Sequence, residues 1–167
     1  MNMIMNRMEK LSLKKVMLIV LMAALVFVVL APFSANQANA ALANGKYTID
    51  YTVYKDGTNE TSYMDSNGYV AKPATLIVTN GQYKARVTIT KSAWVTEFKT
   101  QQNGQYVNAT VISTSGDTRV VEFPVSDLSQ KLNVKLHVSV PAEYTGGVPY
   151  DHDYVVQFGF KESTVKK

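Results

Sequence analysis

Ala74-Thr75-Leu76-Ile77-Val78-Thr79-Asn80-Gly81-Gln82-Tyr83-Lys84-Ala85-Arg86-Val87-Thr88-Ile89-Thr90 contains two runs joined by an Asn-Gly pair, with apolar residues at alternate positions. Two residues that both tolerate positive φ, set between alternating runs, form the strongest short-range signal for a β-hairpin. The same device recurs at Asn103-Gly104, which joins Ala93–Gln101 to Tyr106–Thr114. Upstream, Tyr47, Ile49, Tyr51 and Val53 alternate with Thr48, Asp50, Thr52 and Tyr54. Downstream, Thr118–Val125, Leu132–Val140 and Tyr150–Phe160 complete about eight strands, with turn residues every eight to twelve positions and no helical period. This pattern predicts an all-β chain, an immunoglobulin-like antiparallel β-sandwich without the paired cysteines of antibody domains.

The chain has 167 residues, 17 Lys+Arg, 13 Asp+Glu and no Cys. Its first forty residues read differently from the rest. Lys10, Lys14 and Lys15 precede an apolar run from Val16 to Ala31, and the small-residue triplet Ala38-Asn39-Ala40 follows. That order is a secretory signal peptide over residues 1–40, and its apolar run is shorter than the roughly 20 residues of a membrane span. Cleavage after Ala40 would leave a single domain, 41–167, carrying 13 basic and 12 acidic side chains. Near-neutrality argues against nucleic acid or an anionic membrane as partner, since capture by charge needs clustered cations. Without cysteine the domain is held by its core alone, and thiol catalysis, Cys-ligated metals and disulfides are excluded. The chain stops at Lys167 without an LPxTG-like sorting motif, which gives the expectation of a secreted, extracellular protein, free or associated with the cell wall.

Two segments interrupt the alternation. Glu60–Tyr69 is too long for a hairpin turn and sets Tyr63 and Met64 in a polar loop, where Ser62 can cap one short helical turn. Pro141–Pro149, containing Thr145-Gly146-Gly147, leads into the last strand. Loops of this size on a rigid sandwich are where binding usually sits.

All ten tyrosines lie beyond residue 40. On the last strand Tyr150, His152, Tyr154, Val156, Phe158 and Phe160 share one face, with Asp151, Asp153, Val155 and Gln157 on the other. A face that begins with two phenols and an imidazole and ends in hydrocarbon suits a pocket mouth that deepens into core. Tyr oxygen is a known axial ligand of haem iron, and a ferric ion favours the phenolate that a second phenol can then stabilise by a hydrogen bond.

These residues resemble the near-iron-transporter (NEAT) family, haem-binding sandwiches of Gram-positive bacteria. Tyr150-Asp151-His152-Asp153-Tyr154 is similar to the family's Y-x-x-x-Y motif on its last strand. Lys55-Asp56-Gly57 with Ser62-Tyr63-Met64-Asp65 is similar to its first loop and short helix. The resemblance extends over Gly45–Phe160 and implies that haem is the ligand, with Tyr150 on the iron and Tyr154 hydrogen-bonded to it. It further implies that Ser62 holds a propionate with Lys55 as countercharge, that Tyr63 and Met64 cover the distal face, and that Tyr69 and Trp94 line the pocket. Haemoglobin as haem source and cell-wall haem-binding proteins as acceptors follow from the same resemblance. The chain departs from some relatives in having Tyr at position 63 and longer stretches between Met64 and Pro73 and over Pro141–Pro149.

Three functions fit: a secreted haemophore, a protein-binding or adhesive sandwich such as a haemoglobin-docking module, and a non-haem iron or small-ligand carrier. An enzyme does not fit, because neither His152 nor His137 has a Ser or carboxylate orienter in the sequence pattern and no phosphate loop follows a strand. His152 reads as an imidazole beside the pocket or as a rival iron ligand, and His137 as packing or facing water. Trp94 fits core or pocket wall equally well.

Overall fold

A computed structural model describes residues 42–167, so the leader expected over residues 1–40 and the start at Ala41 lie outside the described residues. Nine antiparallel strands form one continuous ladder in the order β5-β4-β8-β9-β1-β2-β3-β7-β6. They are β1 (Gly45–Lys55), β2 (Val70–Thr79), β3 (Gln82–Ile89), β4 (Val95–Gln102), β5 (Gln105–Asn108), β6 (Thr110–Ser115), β7 (Thr118–Val125), β8 (Leu132–Val140) and β9 (Tyr150–Lys166). A four-residue helical turn, α1 (Tyr63–Ser66), lies between β1 and β2, and a 3-10 turn (Ala142–Tyr144) between β8 and β9.

The Asn-Gly hairpins form as the sequence predicts. Asn80 and Gly81 have φ of 51° and 75°, and Asn103 and Gly104 have 49° and 80°, so both central positions of each turn are left-handed. The ninth strand arises because the run expected over Tyr106–Thr114 breaks at Ala109. Its first part pairs with β4, its second part with β7, and the Ala109 amide donates to the Phe98 carbonyl at 2.9 Å. The two edge strands of the ladder are therefore consecutive in the chain, and the sheet closes on itself as a sandwich. β9 also runs past the expected Phe160 to Lys166, because β1 continues to pair with it up to Thr48↔Lys166 after a register shift between Thr48 and Asp50.

Alternation buries Tyr47, Ile49, Tyr51 and Val53 of β1 against the inner residues of β2, β8 and β9. At the centre Tyr51 stacks on Phe158 at 5.4 Å, while Phe98 meets Phe123 at 5.6 Å and the edge of Phe158 at 5.7 Å. The Tyr51 hydroxyl donates to the Ala71 carbonyl at 2.8 Å, which satisfies the polar end of an otherwise buried ring; burial pushes its phenol pKa up.

Candidate functional site

At the end of the sandwich where β1 leaves and β9 enters, three connecting segments surround the inner face of β8 and β9. The first is α1. The Ser62 hydroxyl caps it by accepting from the Asp65 amide at 3.3 Å, and the Ser62 amide donates to the Val53 carbonyl at 2.8 Å. Asp65 accepts from the Val53 amide at 2.7 Å with one oxygen and pairs with Lys72 at 2.6 Å through the other. These bonds hang the turn from the end of β1, bury Met64 and leave Tyr63 69% exposed.

The second segment is the turn Lys91–Trp94. Asp117 receives the Ala93 amide at 2.8 Å, Arg119 donates to the Val95 carbonyl at 2.5 Å, and the Ser139 amide donates to the Trp94 carbonyl at 2.9 Å. Trp94 is thus fixed from behind, with the Lys91 ammonium 5.6 Å from its ring centre. The third segment is the β8–β9 loop, folded by its 3-10 turn and by a Gly147 amide bond to the Ala142 carbonyl at 2.9 Å. It carries Tyr144 against Trp94, with ring centroids 5.7 Å apart.

Between these segments lies a cavity of about 550 Å³. Val95, Leu136, Val138, Val140 and Val156 form its floor, and none of its lining residues is charged. Tyr63, Tyr69, Trp94 and Tyr144 make a continuous arc of rings along one side, with successive centroids 6.0, 6.3 and 5.7 Å apart. Tyr150 and Tyr154 project into the same cavity from β9 with their hydroxyls in hydrogen-bond contact. The β8–β9 register is unbroken from Leu132↔Phe158 to Val140↔Tyr150, so the two rings meet by leaning together, with no bulge between them. That contact, followed by burial, raises the Tyr150 pKa above the ordinary phenol value, and burial followed by Tyr63 does the same at Tyr69. His152 lies between the two tyrosines on the same face, edge-on to Tyr150 at 4.6 Å, and outside the cavity lining.

Six of the residues singled out in the sequence line this one cavity: Tyr63, Met64, Tyr69, Trp94, Tyr150 and Tyr154. Lys55 and Ser62 do not. Lys55 is exposed and turned to Glu60, 2.7 Å away, and Ser62 is buried with its hydroxyl occupied as the helix cap. Sequence reasoning singled out the Pro141–Pro149 loop with Thr145 but not Tyr144 within it, and, apart from Val156, it missed the aliphatic floor, whose alternation is that of any core strand. Trp94 proves to be pocket wall. Among the described residues no group of three or more His, Cys, Asp or Glu side chains is placed to hold a metal ion; the side-chain oxygens that line this cavity are its phenols and the Thr145 hydroxyl.

The family model for NEAT, the iron transport-associated domain, matches residues 40–162. The chain belongs to the NEAT family. This NEAT domain is 41% identical over 127 residues to hemin/hemoglobin-binding protein 2 of Listeria monocytogenes, a match that covers 75% of the chain and 22% of that relative. It is 35% identical over 144 residues to hemin/hemoglobin-binding protein 1 of the same species, covering 84% of the chain and 66% of the relative. Among solved structures it is similar to the NEAT5 domain of IsdX2, a B. anthracis hemophore in complex with heme. That match has a TM-score of 0.67 and 38% identity, covering 73% of the chain and 99% of that domain. The NEAT chain thus spans from about a fifth to two thirds of the length of the curated relatives it matches. No helix among the described residues is long and apolar enough to cross a membrane.

Proposed function

We propose that this NEAT domain is a haem carrier, a secreted haemophore that takes ferric haem through Tyr150 and passes it on. The observation that carries the reading is the convergence of the Tyr150 and Tyr154 hydroxyls on one wall of an uncharged aromatic cavity. A flat, apolar macrocycle with an oxygen-seeking ferric ion at its centre matches both halves of that environment, and the cavity volume falls in the range of ordinary ligand pockets. The names of the hemin-binding relatives and the heme complex of the IsdX2 domain support it.

In this reading Tyr150 is the iron ligand and Tyr154 donates a hydrogen bond to its oxygen. Met64 and Tyr63 face the opposite side of the ring, and Tyr69, Trp94 and Tyr144 hold its edge. Ser62 acts by fixing α1, and Lys55 stays with Glu60 until an acidic group of the ligand competes for it. Because the Tyr150 phenol is protonated at neutral pH, it must release one proton when it binds iron. Affinity then falls about tenfold for each pH unit of acidification. Carriage needs no bond to be made or broken in the ligand, so the protein is a binder and not an enzyme. Haemoglobin is the proposed source and cell-wall haem-binding proteins the proposed acceptors.

Haemin titration of the chain lacking residues 1–40 tests the proposal. A saturable Soret band at one haem per chain is expected, largely lost in Tyr150→Phe. A chain that gains no Soret band, or a Tyr150→Phe variant that binds as the parent does while His152→Ala does not, would overturn it. Export is tested separately by mass spectrometry of culture supernatant, with a mature N-terminus at Ala41 expected.

A further inference from the structure

Behind the two tyrosines, on the outer face of the same sheet, one imidazole has a carboxylate beside each of its nitrogens. His137 of β8 lies opposite Asp153 in the β8–β9 ladder, two positions along from the pair Ser139↔Asp151. Its Nδ1 is 2.9 Å from Asp153 and its Nε2 is 3.5 Å from Asp151. These two carboxylates belong to the three residues between Tyr150 and Tyr154, and they alternate with the pocket-facing side chains. The ladder ends at Val140↔Tyr150, so the ring spans its last stretch before β8 and β9 part into the loop.

We infer that His137 is a positioning residue for the Tyr150–Tyr154 pair: as imidazolium it clamps Asp151 and Asp153 together, and by losing that charge it loosens the rim of β9 and speeds ligand release. The inference rests on the proposed reading of Tyr150 as iron ligand.

The chemistry of the ring carries the argument. An imidazolium donates from both nitrogens and can serve two carboxylates at once. A neutral imidazole has one N–H and one lone pair, and the lone pair repels the carboxylate it faces. The shorter bond, to Asp153, is the one a neutral ring keeps. Asp151, the neighbour of Tyr150, is the one released.

The charged groups facing His137 favour the imidazolium. On β9 they are Asp151 and Asp153, and on its own strand Lys135, which pairs with Asp153 at 2.8 Å. On β4 Glu97 is the register partner of His137, and its carboxylate is held by Lys99 at 2.6 Å. Three carboxylates thus face two ammonium groups, and the charged ring makes the set neutral. The bond to Asp153 comes first among the causes that raise the His137 pKa, so its titration falls above the ordinary value near 6.5. His152 lies on the other, pocket-facing side of β9, beside Tyr150.

Linkage makes the inference measurable in two ways. If the charged ring favours the bound arrangement, haem must raise the pKa of His137 by the same factor by which the charge strengthens haem binding, a factor that shows in haem loss when the association rate is unchanged. The sign is opposite to that of Tyr150 ionisation, which strengthens binding as pH rises, so the difference between parent and variant isolates the histidine.

The test is haem loss to excess apomyoglobin between pH 6 and pH 9, for the parent, His137→Gln and Asp151→Asn, with the ring of His137 titrated by NMR in the parent. The parent should lose haem about two- to fivefold faster on the alkaline side of the His137 titration, a span suited to one exposed charged pair. Both variants should run flat relative to it, at the parent's alkaline rate and with its ferric spectrum. Haem should also raise the His137 pKa in the parent. A variant profile that tracks the parent, or a His137 pKa indifferent to haem, overturns the inference while the Soret band still supports the function. A parent without a Soret band removes both.

Discussion

A β-carbon placed on Gly159 of β9 would sit 2.8 Å from the Cε2 atom of Tyr54, whose ring lies flat across that position from β1. The Lys131 ammonium lies over the ring, 4.2 Å from its centre. It also donates to the Thr58 carbonyl at 2.6 Å and to Asn59 Oδ1 at 2.7 Å. The stack fixes the loop that delivers the chain to α1. Gly159→Ala gains about 0.4–1 kcal/mol from a stiffer unfolded chain, but displacing a packed ring costs about 1–3 kcal/mol. Net destabilisation of about 1–2 kcal/mol is expected, read as a lower urea midpoint at unchanged slope. An unchanged or higher midpoint would mean that the ring moves aside freely.

Tyr150 and Tyr154 should not be equivalent. A hydrogen bond to a charged oxygen is worth about 1.5–3 kcal/mol, so Tyr154→Phe should weaken ferric haem binding about ten- to a hundredfold. Tyr150→Phe removes the metal bond itself and should lose more. Equal losses in the two, measured by competition with apomyoglobin, would indicate that either phenol can take the iron.

Ser62→Ala removes a helix cap from a four-residue turn, a loss of about 0.5–2 kcal/mol. Its effect on the ligand should be indirect. Haem loss should quicken, the ferric spectrum should stay the same, and Asp65→Asn, which weakens the tie to Lys72, should act in the same direction. A spectrum that shifts in Ser62→Ala but not in Asp65→Asn would show direct contact between the hydroxyl and the ligand.

The Lys135 ammonium, followed by His137, holds the Asp153 carboxyl down at about 2. A group whose folded pKa lies below its unfolded value near 3.9 stabilises the fold above that value and loses the contribution as pH falls through the folded pKa. Part of the acid destabilisation between about pH 4 and pH 2 should therefore vanish in Asp153→Asn. Urea midpoints across that range measure it, and parallel curves for parent and variant would contradict the assignment.

The strands and hairpins were legible because burial on one face imposes period two and Asn-Gly imposes the turn. The break at Ala109 was not, because β6 is exposed at every position and its alternation carries no burial signal. Within the site, Tyr150 and Tyr154 could be read from their shared strand face. Tyr144 could not, since a loop residue acquires its neighbour, Trp94, only through the folding of Ala142–Gly147. Lys55 and Ser62 sit in the anticipated loop, but Glu60 and the Asp65 amide compete for them locally, a choice that spacing alone does not decide. His137 looked solitary because its partners lie 14 and 16 residues further along, across the ladder.

The pairing of Thr48 with Lys166 sets the start of β1 beside the end of β9, at the far end of the sandwich from Tyr150. Both ends of the domain leave from the floor, away from the pocket mouth. A tag, a surface tether or a neighbouring module fused at either end would hang below the domain and leave the mouth open to solution. Tension applied between the two ends would peel β1 from β9 one pair at a time, starting at the floor, and the mouth would be the last part of that seam to open.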